Sequence, residues 1–592
     1  MKAVHGGNNA RPWSCRMEKT KVLMVYPETP TTYWSFKYAL SFIGKKALLP
    51  PLGLLTVAAL LPDDFECRLI DMNTDPLCED DIRASDIVFV SAMLVQKQSF
   101  EDVVGMCNRC GVPVVAGGPY PTSCRDSITG VDHFVLNEAE VTLPLFVADY
   151  RKGAAGHVYS DDTKPDICMT PPPRLDLIDL RKYSVVALQY SRGCPFNCEF
   201  CDIIELFGRM PRTKTTQQFV SELEAVYRTG FRGPVFIVDD NFIGNTKNVK
   251  ELLREVISWQ RQRGMPFNFL TEASINLSQD DELMDLMVDA NFTMTFIGIE
   301  TPVKESLAQT GKKQNLKEDL IDSIHRIQRK GIEVTGGFIV GFDTDPENVF
   351  DIQLRFIRES GIPNAMIGLL MALPNTRLYH RLNAEGRIVR ESDGNNTHNV
   401  ELNFIPAMPP EKLVAGYNRM LSEIYTPENY FNRCLDLLGR LPVRSARGRP
   451  VKLAEIKALC MSLFRQGFSY YGREYFRFLF RASRISPKYF STAVGMAIEG
   501  YHFIRITRER LRPGGAEKYL ERNLAAVHNE LEEIVREAYG YGFMKGTKAK
   551  KSFPDADAGS RRRSADMAPS FDATISYRIE RLKKNIASIA HQ

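Results

Sequence analysis

The chain has 592 residues, 44% of them hydrophobic and 25% charged, with a formal net charge of +4. That length allows several domains with cores of their own, and the charge is too small to argue for nucleic acid or an anionic surface as partner. No apolar run approaches the ~20 residues that span a bilayer; the longest, Pro51 to Leu61, reads as a core helix. The opening MKAVHGGNNARPWSC lacks the apolar region of a signal peptide, and Met17 stands before the first strand as an alternative start. Residues 1–19 are expected to be disordered. The 12 cysteines are mostly scattered singly, which argues for reduced thiols in a cytoplasmic setting and against a disulfide framework.

Residues 20–155 alternate β-branched runs with helical patterns. Strands are expected at Lys21–Pro27, Cys67–Asn73, Asp86–Met93, Pro113–Pro119 and His133–Glu140. Several are apolar throughout, as parallel strands covered on both faces require. Five strands joined by helices predict a doubly wound α/β domain with its ligand crevice at the strands' C-terminal ends. Those ends carry Ser91, Gly117-Gly118-Pro119 and Asn137-Glu138-Ala139-Glu140. CNRC (Cys107–Cys110) falls in a helical crossover, where packing is its expected role. The Pro-rich segment 156–183 reads as a linker.

From 184 to 400 the alternation resumes as VVALQYS, PVFIVDD, FNFLTEASI, TMTFIGIE, EVTGGFIVGF and AMIGLLMAL. Six parallel strands fall short of a closed eight-stranded barrel and predict a partial (β/α)6 barrel, again with its site at the strand C-termini. Helix starts are expected at Thr215 with Gln218, Ser278 with Asp281 and Asn315 with Glu318, and stops at Gly230 and Gly331. Residues 401–545 are helical by pattern. The tail 546–592 is charged and Pro/Ser-containing at its start and is expected to be largely disordered. FSYYGREYFRFLF (Phe468–Phe480) is expected either to line a substrate cavity or to be helix core.

SRGCPFNCEFC places Cys194, Cys198 and Cys201 on a tight loop after the first barrel strand. Soft thiolates select zinc or an iron–sulfur cluster. A structural zinc site closes with a fourth Cys or His, and the next His here is His325. The Cys-x3-Cys-x2-Cys spacing, its place after a strand, and Phe200 before the last Cys resemble the radical S-adenosylmethionine (SAM) superfamily. The resemblance implies that the three cysteines hold a 4Fe-4S cluster whose fourth iron is left to SAM, cleaved by one electron to a 5′-deoxyadenosyl radical. It also implies SAM-binding roles for Phe200, for Asp239, Asp240 and Asn241 (where the family often has Gly-Gly-Glu), for Glu300, and for Gly337, Ile339 and Gly341.

A doubly wound domain directly before such a barrel resembles the cobalamin-binding branch of that superfamily. Ser91, Gly117, Gly118, Pro119 and Glu138 are the implied cobalamin contacts. The Asp-x-His-x-x-Gly signature, which gives cobalt a lower His ligand in many cobalamin proteins, is lacking. YPETPTTYWSFKYALSFIGKKALLPPLGLLTVAALLP and QYSRGCPFNCEFCDIIELFGRMPRTKT look like the group with a helical C-terminal domain that includes the hopanoid C-2 methylases. The implied fold is a Rossmann-like cobalamin-binding domain, a radical SAM partial barrel and a mostly helical C-terminal domain. The implied activity is transfer of a methyl from methylcobalamin to an unactivated carbon of a small apolar substrate, a hopanoid-type lipid or a tetrapyrrole side chain. Oxidative cyclisation without methyl transfer, and a cobalamin-binding regulator with a vestigial barrel, are the alternatives. The implied partners are an electron donor such as flavodoxin or ferredoxin, no nucleic acid, and at most peripheral contact with a membrane.

Overall fold

The computed structural model describes residues 19–397, 401–443 and 453–511. The segments 1–18 and 512–592, which hold most of the expected disordered ends, lie outside the described residues. The chain divides into one unit ending at Ile506 and a second beginning at Thr507.

The front domain is a parallel sheet of β1 (Thr20–Tyr26), β2 (Phe65–Asp71), β3 (Ile87–Ser91), β4 (Val114–Gly117), β5 (His133–Val135) and β6 (Val158–Tyr159), in the order β2-β1-β3-β4-β5-β6. The order reverses between β1 and β3, and Ser91 ends β3 at this switch point. Two expectations are corrected here. HFVLNEAE is strand only as far as Val135. Asn137 takes a left-handed φ of 61° and turns the chain into the helix Ala139–Tyr150. The supposed linker is also part of the fold. Val158 and Tyr159 pair with Phe134 and Val135, and Ile167, Leu175, Leu180 and Tyr183 are buried. A two-residue strand is too short to leave a period-2 pattern in the sequence.

After β7 (Val186–Leu188), an antiparallel pair, β8 (Ser191–Arg192) and β9 (Arg212–Thr213), brackets the cysteine loop. Then follow β10 (Pro234–Ile237), β11 (Asn268–Ala273), β12 (Phe292–Glu300), β13 (Glu333–Val340) and β14 (Ala365–Leu369). With β7 these form a six-stranded sheet in chain order, whose edges β7 and β14 do not pair, so the barrel stays open. Thr215 accepts from the Gln218 N–H at 3.2 Å, as expected of a capping box. The other two starts shift. Asp280 caps the helix Asp281–Asp289, and Asp319 caps Leu320–Lys330. In both, a carboxylate nearer the apolar run takes the cap, where the helix dipole also favours it.

The helices Pro410–Ile424 and Pro427–Arg440 cover the edge strand β14. Tyr417 and Tyr425 donate from their hydroxyls to the Ile367 and Ala365 carbonyls at 3.2 and 2.6 Å. Tyr33, from the connection after β1, stacks on Tyr425 with ring centroids 5.8 Å apart. The N-terminal connection is thereby built into the same core as the C-terminal helices. The Phe468–Phe480 stretch meets neither expectation whole. Tyr471, Tyr475, Phe478 and Leu479 are core, whereas Phe468, Tyr470, Phe476 and Phe480 are exposed. Among the described residues no helix is long and apolar enough to cross a membrane.

Candidate functional site

Period-2 alternation decides which barrel residues face inward. Val235, Ile237 and Asp239 are buried, while Phe236, Val238 and Asp240 between them are less so; Leu270 and Glu272 on β11, and Phe296 and Gly298 on β12, follow the same rhythm. Asp239 and Asp240, adjacent in sequence, therefore serve opposite faces. Asp239 accepts from the Tyr190 N–H and the Ser191 hydroxyl, each at 2.7 Å, and so holds the chain leading into the cysteine loop. Asp240 accepts from the Gly193 N–H at 3.2 Å. Burial pushes Asp239 up to about 7 and Asp240 up to about 6.

The cysteine loop is folded tightly. Gly193 has a φ of 93°, and a Cβ there would lie 2.9 Å from the carbonyl oxygens of Gly208 and Met210. The Cys194 N–H donates to the Gly208 carbonyl at 3.2 Å. Glu199, between the second and third cysteines, donates its N–H to the Thr310 carbonyl at 2.8 Å and ion-pairs with Arg381 at 2.6 Å. Cys194, Cys198 and Cys201 are all free thiols. Burial raises the pKa of each, and only partial relief comes from Lys312. The Asn241 amide nitrogen lies 4.0 Å from the Cys194 Sγ, and that of Gln314 lies 3.9 Å from the Cys198 Sγ. Three free thiols on one loop, two of them with an amide donor aimed at the sulfur, fit an iron–sulfur cluster, whose charge supplies what stable thiolates need. Among the described residues no three His, Cys, Asp or Glu side chains form a single-ion site.

Glu300 reaches the same place by a backbone irregularity. The β12–β13 register shifts between Gly298 and Glu300, and Glu300 takes a left-handed φ of 63°. Its carboxylate pairs with Lys312 at 2.5 Å, and both groups fill the space over Gly298. A Cβ on Gly298 would lie 2.4 Å from the Glu300 Oε1 and 2.6 Å from the Lys312 Nζ. Burial acts to lower the Lys312 pKa, but Glu300 and Cys198 outweigh it and hold the ammonium above the ordinary lysine value. Its Nζ stands 6.0 Å from the centre of the Phe200 ring. Phe200 and Ile339 pack on the cluster of Phe342, Leu370 and Leu378. Gly337 has no room for a side chain, since a Cβ would lie 2.7 Å from the Phe296 ring, and Gly341 has a φ of 106°.

On the front domain, both glycines are required by the fold itself. A Cβ on Gly117 would lie 2.7 Å from the Val135 carbonyl oxygen. One on Gly118, whose φ is 88°, would lie 2.4 Å from the Ser91 Oγ. Pro119 opens the short helix that follows. The neighbouring strands β3 and β4 thus end in the small residues Ser91 and Gly117, beside Tyr26 at the end of β1. The front-domain histidines, His133 and His157, lie at the opposite ends of their strands and bond backbone carbonyls at 2.7 Å.

Glu138 has a different setting. Its buried carboxylate takes Arg192 at 2.7 Å and Arg212 at 2.7 and 3.0 Å. Glu140 takes Arg192 at 2.9 Å and the Thr170 hydroxyl at 2.6 Å. Burial acts to raise the Glu140 carboxyl, but Arg192 outweighs it and holds the group below the ordinary glutamate value. Arg192 and Arg212 are the β8–β9 pair that brackets the cysteine loop. Further contacts join the same two edges. Lys97 pairs with Glu391 at 2.9 Å, and the Asn375 amide donates to the Ser123 carbonyl at 3.4 Å. The C-terminal edges of the two sheets therefore face one another.

Sequence reading missed Lys312, Gln314, Glu272, Arg192 and Arg212. Arg192 and Arg212 stood within the stretch around the cysteines and Glu272 within an expected strand, but nothing in the sequence paired the arginines with their partners. Glu272, on β11, makes no hydrogen bond or ion pair with a described residue, and burial, then the Asp240 charge, pushes it up to about 8.

Residues 188–374 match the radical SAM superfamily, residues 46–147 match the B12 binding domain, and residues 376–513 match a domain of unknown function. Fold and site thus define a radical SAM enzyme with an N-terminal B12-binding domain. An uncharacterised methyltransferase of Synechocystis is 40% identical over 87% of this chain and 97% of its own length. The hopanoid C-2 methylase of Rhodopseudomonas palustris is 35% identical over 70% of this chain and 78% of its own. This chain belongs to their family, the cobalamin-dependent radical SAM methyltransferases of the hopanoid C-2 methylase group. The fold is also that of the radical SAM methyltransferase TsrM of Kitasatospora setae, solved with cobalamin and a [4Fe-4S] cluster bound. That match has a TM-score of 0.57 at 15% identity and covers 79% of this chain and 99% of TsrM.

Proposed function

We propose that this methyltransferase acts on an unactivated carbon of a small apolar substrate, a polycyclic lipid of the hopanoid type. The opposition of the two C-terminal edges, fastened through Arg192 to Glu138 and Glu140, carries this reading. Generating a radical and donating a methyl at one carbon requires both sources to be held side by side. When bound, the cluster with SAM supplies hydrogen abstraction and cobalamin supplies the methyl group.

The chain's own residues supply position. Cys194, Cys198 and Cys201 are assigned as cluster ligands, with Asn241 and Gln314 as donors to their sulfurs. Glu300, paired with Lys312, is an acceptor for ribose hydroxyls. Gly337, Ile339, Gly341 and Phe200 wall the adenine side, and Asp240 is the acceptor nearest the cysteine loop for an amino group. Asp239 holds the loop. Ser91, Gly117, Gly118 and Pro119 form the floor of the cobalamin edge, while Glu138 clamps the domains. Phe236, Val238, Leu270 and Phe296 give the lumen an apolar wall suited to the substrate. A flavodoxin or ferredoxin is the assigned class of electron donor.

Anaerobic reconstitution with cobalamin, SAM, a chemical reductant and either polycyclic lipids or tetrapyrroles, read by mass spectrometry, tests the proposal. The expected product is a lipid heavier by one methyl, formed with 5′-deoxyadenosine. A cyclised product without added mass, or methylation confined to tetrapyrroles, overturns it.

A further inference from the structure

The exposed aromatics of the C-terminal helices form one continuous feature. Phe464 lies on the helix Leu453–Gly467 and Phe468 just beyond its end, with their rings 5.7 Å apart and 71% and 85% exposed. Phe476 and Phe480 lie on the next helix, Gly472–Ile485, one turn apart and 50% and 63% exposed. A Cβ on Gly467 would lie 2.8 Å from the Phe476 ring, so that ring rests on the end of the first helix beside Phe468. The two pairs thus join into a single ridge. Large apolar side chains clustered this way on a surface mark an interaction site.

The second helix also decides what kind of partner fits. At 100° per residue, Phe476, Phe480, Arg473, Arg484, Arg477 and Arg481 occupy one continuous outer arc, while Tyr475, Phe478, Leu479 and Ala482 fill the buried arc. None of these four arginines forms an ion pair with a described residue. Arg481 donates to the Asn432 side-chain oxygen at 3.3 Å, and Arg484 stands over Phe480 at 5.7 Å. The helix has one carboxylate, Glu474, against its four arginines, although the whole chain is close to neutral. An aromatic edge beside a row of uncompensated arginines has the chemistry of an interfacial helix on an anionic bilayer.

We propose that the hairpin of helices Leu453–Gly467 and Gly472–Ile485 docks the enzyme on an anionic membrane surface, with Phe464, Phe468, Phe476 and Phe480 entering the headgroup boundary. The choice of a bilayer rests in part on the lipid-substrate reading above; the aromatic ridge and the arginine row do not. Docking of this kind brings the enzyme to a substrate that water does not dissolve.

The test is cosedimentation of the full-length, cofactor-loaded protein with phosphatidylcholine vesicles, with and without phosphatidylglycerol. Binding is expected to rise about tenfold with the anionic lipid and to fall as salt is added. The double variant F476S/F480S is expected to bind both vesicle types several-fold more weakly. R477E/R484E is expected to lose only the gain from the anionic lipid. Both are expected to keep the wild-type melting temperature and 5′-deoxyadenosine formation in detergent. Equal sedimentation of wild type and both variants overturns the proposal. So does a dimer by light scattering that F476S/F480S converts to monomer, with no vesicle binding, since a second copy then covers the ridge. Absent vesicle binding with intact methylation of detergent-solubilised lipid removes the docking face alone. Intact binding with no polycyclic lipid methylated removes the substrate reading alone.

Discussion

The two sheets end in carboxylates that look alike in sequence and behave differently in the fold. At the front edge, Glu138 and Glu140 are spent on Arg192 and Arg212. At the barrel mouth, Glu272 has no partner among the described residues, Asp240 has one backbone N–H, and Glu300 is held by Lys312. Burial raises Asp240 and Glu272 toward neutrality, whereas Arg192 keeps Glu140 low. A carboxylate at a strand C-terminus is therefore a clamp where arginines from the other domain meet it, and a group open to ligand where none do.

The largest expected effect lies at the barrel mouth. Cys194→Ser, Cys198→Ser or Cys201→Ser each removes the cluster's visible absorbance and lowers 5′-deoxyadenosine formation below detection; any variant keeping full cleavage breaks the assignment. Next is Lys312→Met, which leaves Glu300 buried and unpaired and costs about 3–5 kcal/mol in denaturant unfolding. Glu300→Gln keeps a hydrogen-bonding group and is expected to weaken SAM binding on the order of tenfold, about 1.4 kcal/mol, with cluster content unchanged. Equal cluster loss in both variants makes the pair structural.

The front edge gives a sharper contrast. Glu138→Gln removes the charge that two arginines share and is expected to lower stability by about 2–4 kcal/mol, and to expose the 156–183 segment to protease. Weakened cobalamin binding at unchanged stability would instead make Glu138 a ligand contact. The smallest effect belongs to a third setting, the base of the barrel. There Glu333 and Glu499 are both raised by burial, and the Asn364 amide donates to Glu499 at 2.8 Å. The native state keeps protons that the unfolded chain releases above the ordinary glutamate pKa. Stability is therefore greatest below that value and falls as pH rises toward the native pKa. Glu333→Gln is expected to flatten that fall, gaining on the order of 1 kcal/mol at pH 8. A pH profile of melting temperature parallel to wild type would show that the pair does not titrate.

Much was legible in the chain because it was written locally. The cysteine spacing, the six barrel strands in order and the Thr215–Gln218 cap all depend on residues within a few positions of one another. What failed locally failed for a physical reason. Ser278 and Asn315 lost their caps to nearby aspartates. β6 was too short for any period, and the Phe468–Phe480 aromatics divided between core and surface according to the rotation of their helix.

The sequence by itself pointed to the class of chemistry, since the Cys-x3-Cys-x2-Cys loop after a strand resembles the radical SAM superfamily and lies within eleven contiguous residues, Ser191 to Cys201. The tertiary structure alone decided which acids are available. A bulge turns Glu300 toward Lys312, alternation sends Asp239 and Asp240 to opposite faces, and Glu138 meets arginines 54 and 74 residues away. Charge pairing depends on distance in space, and that distance is set only when the two sheets pack edge to edge.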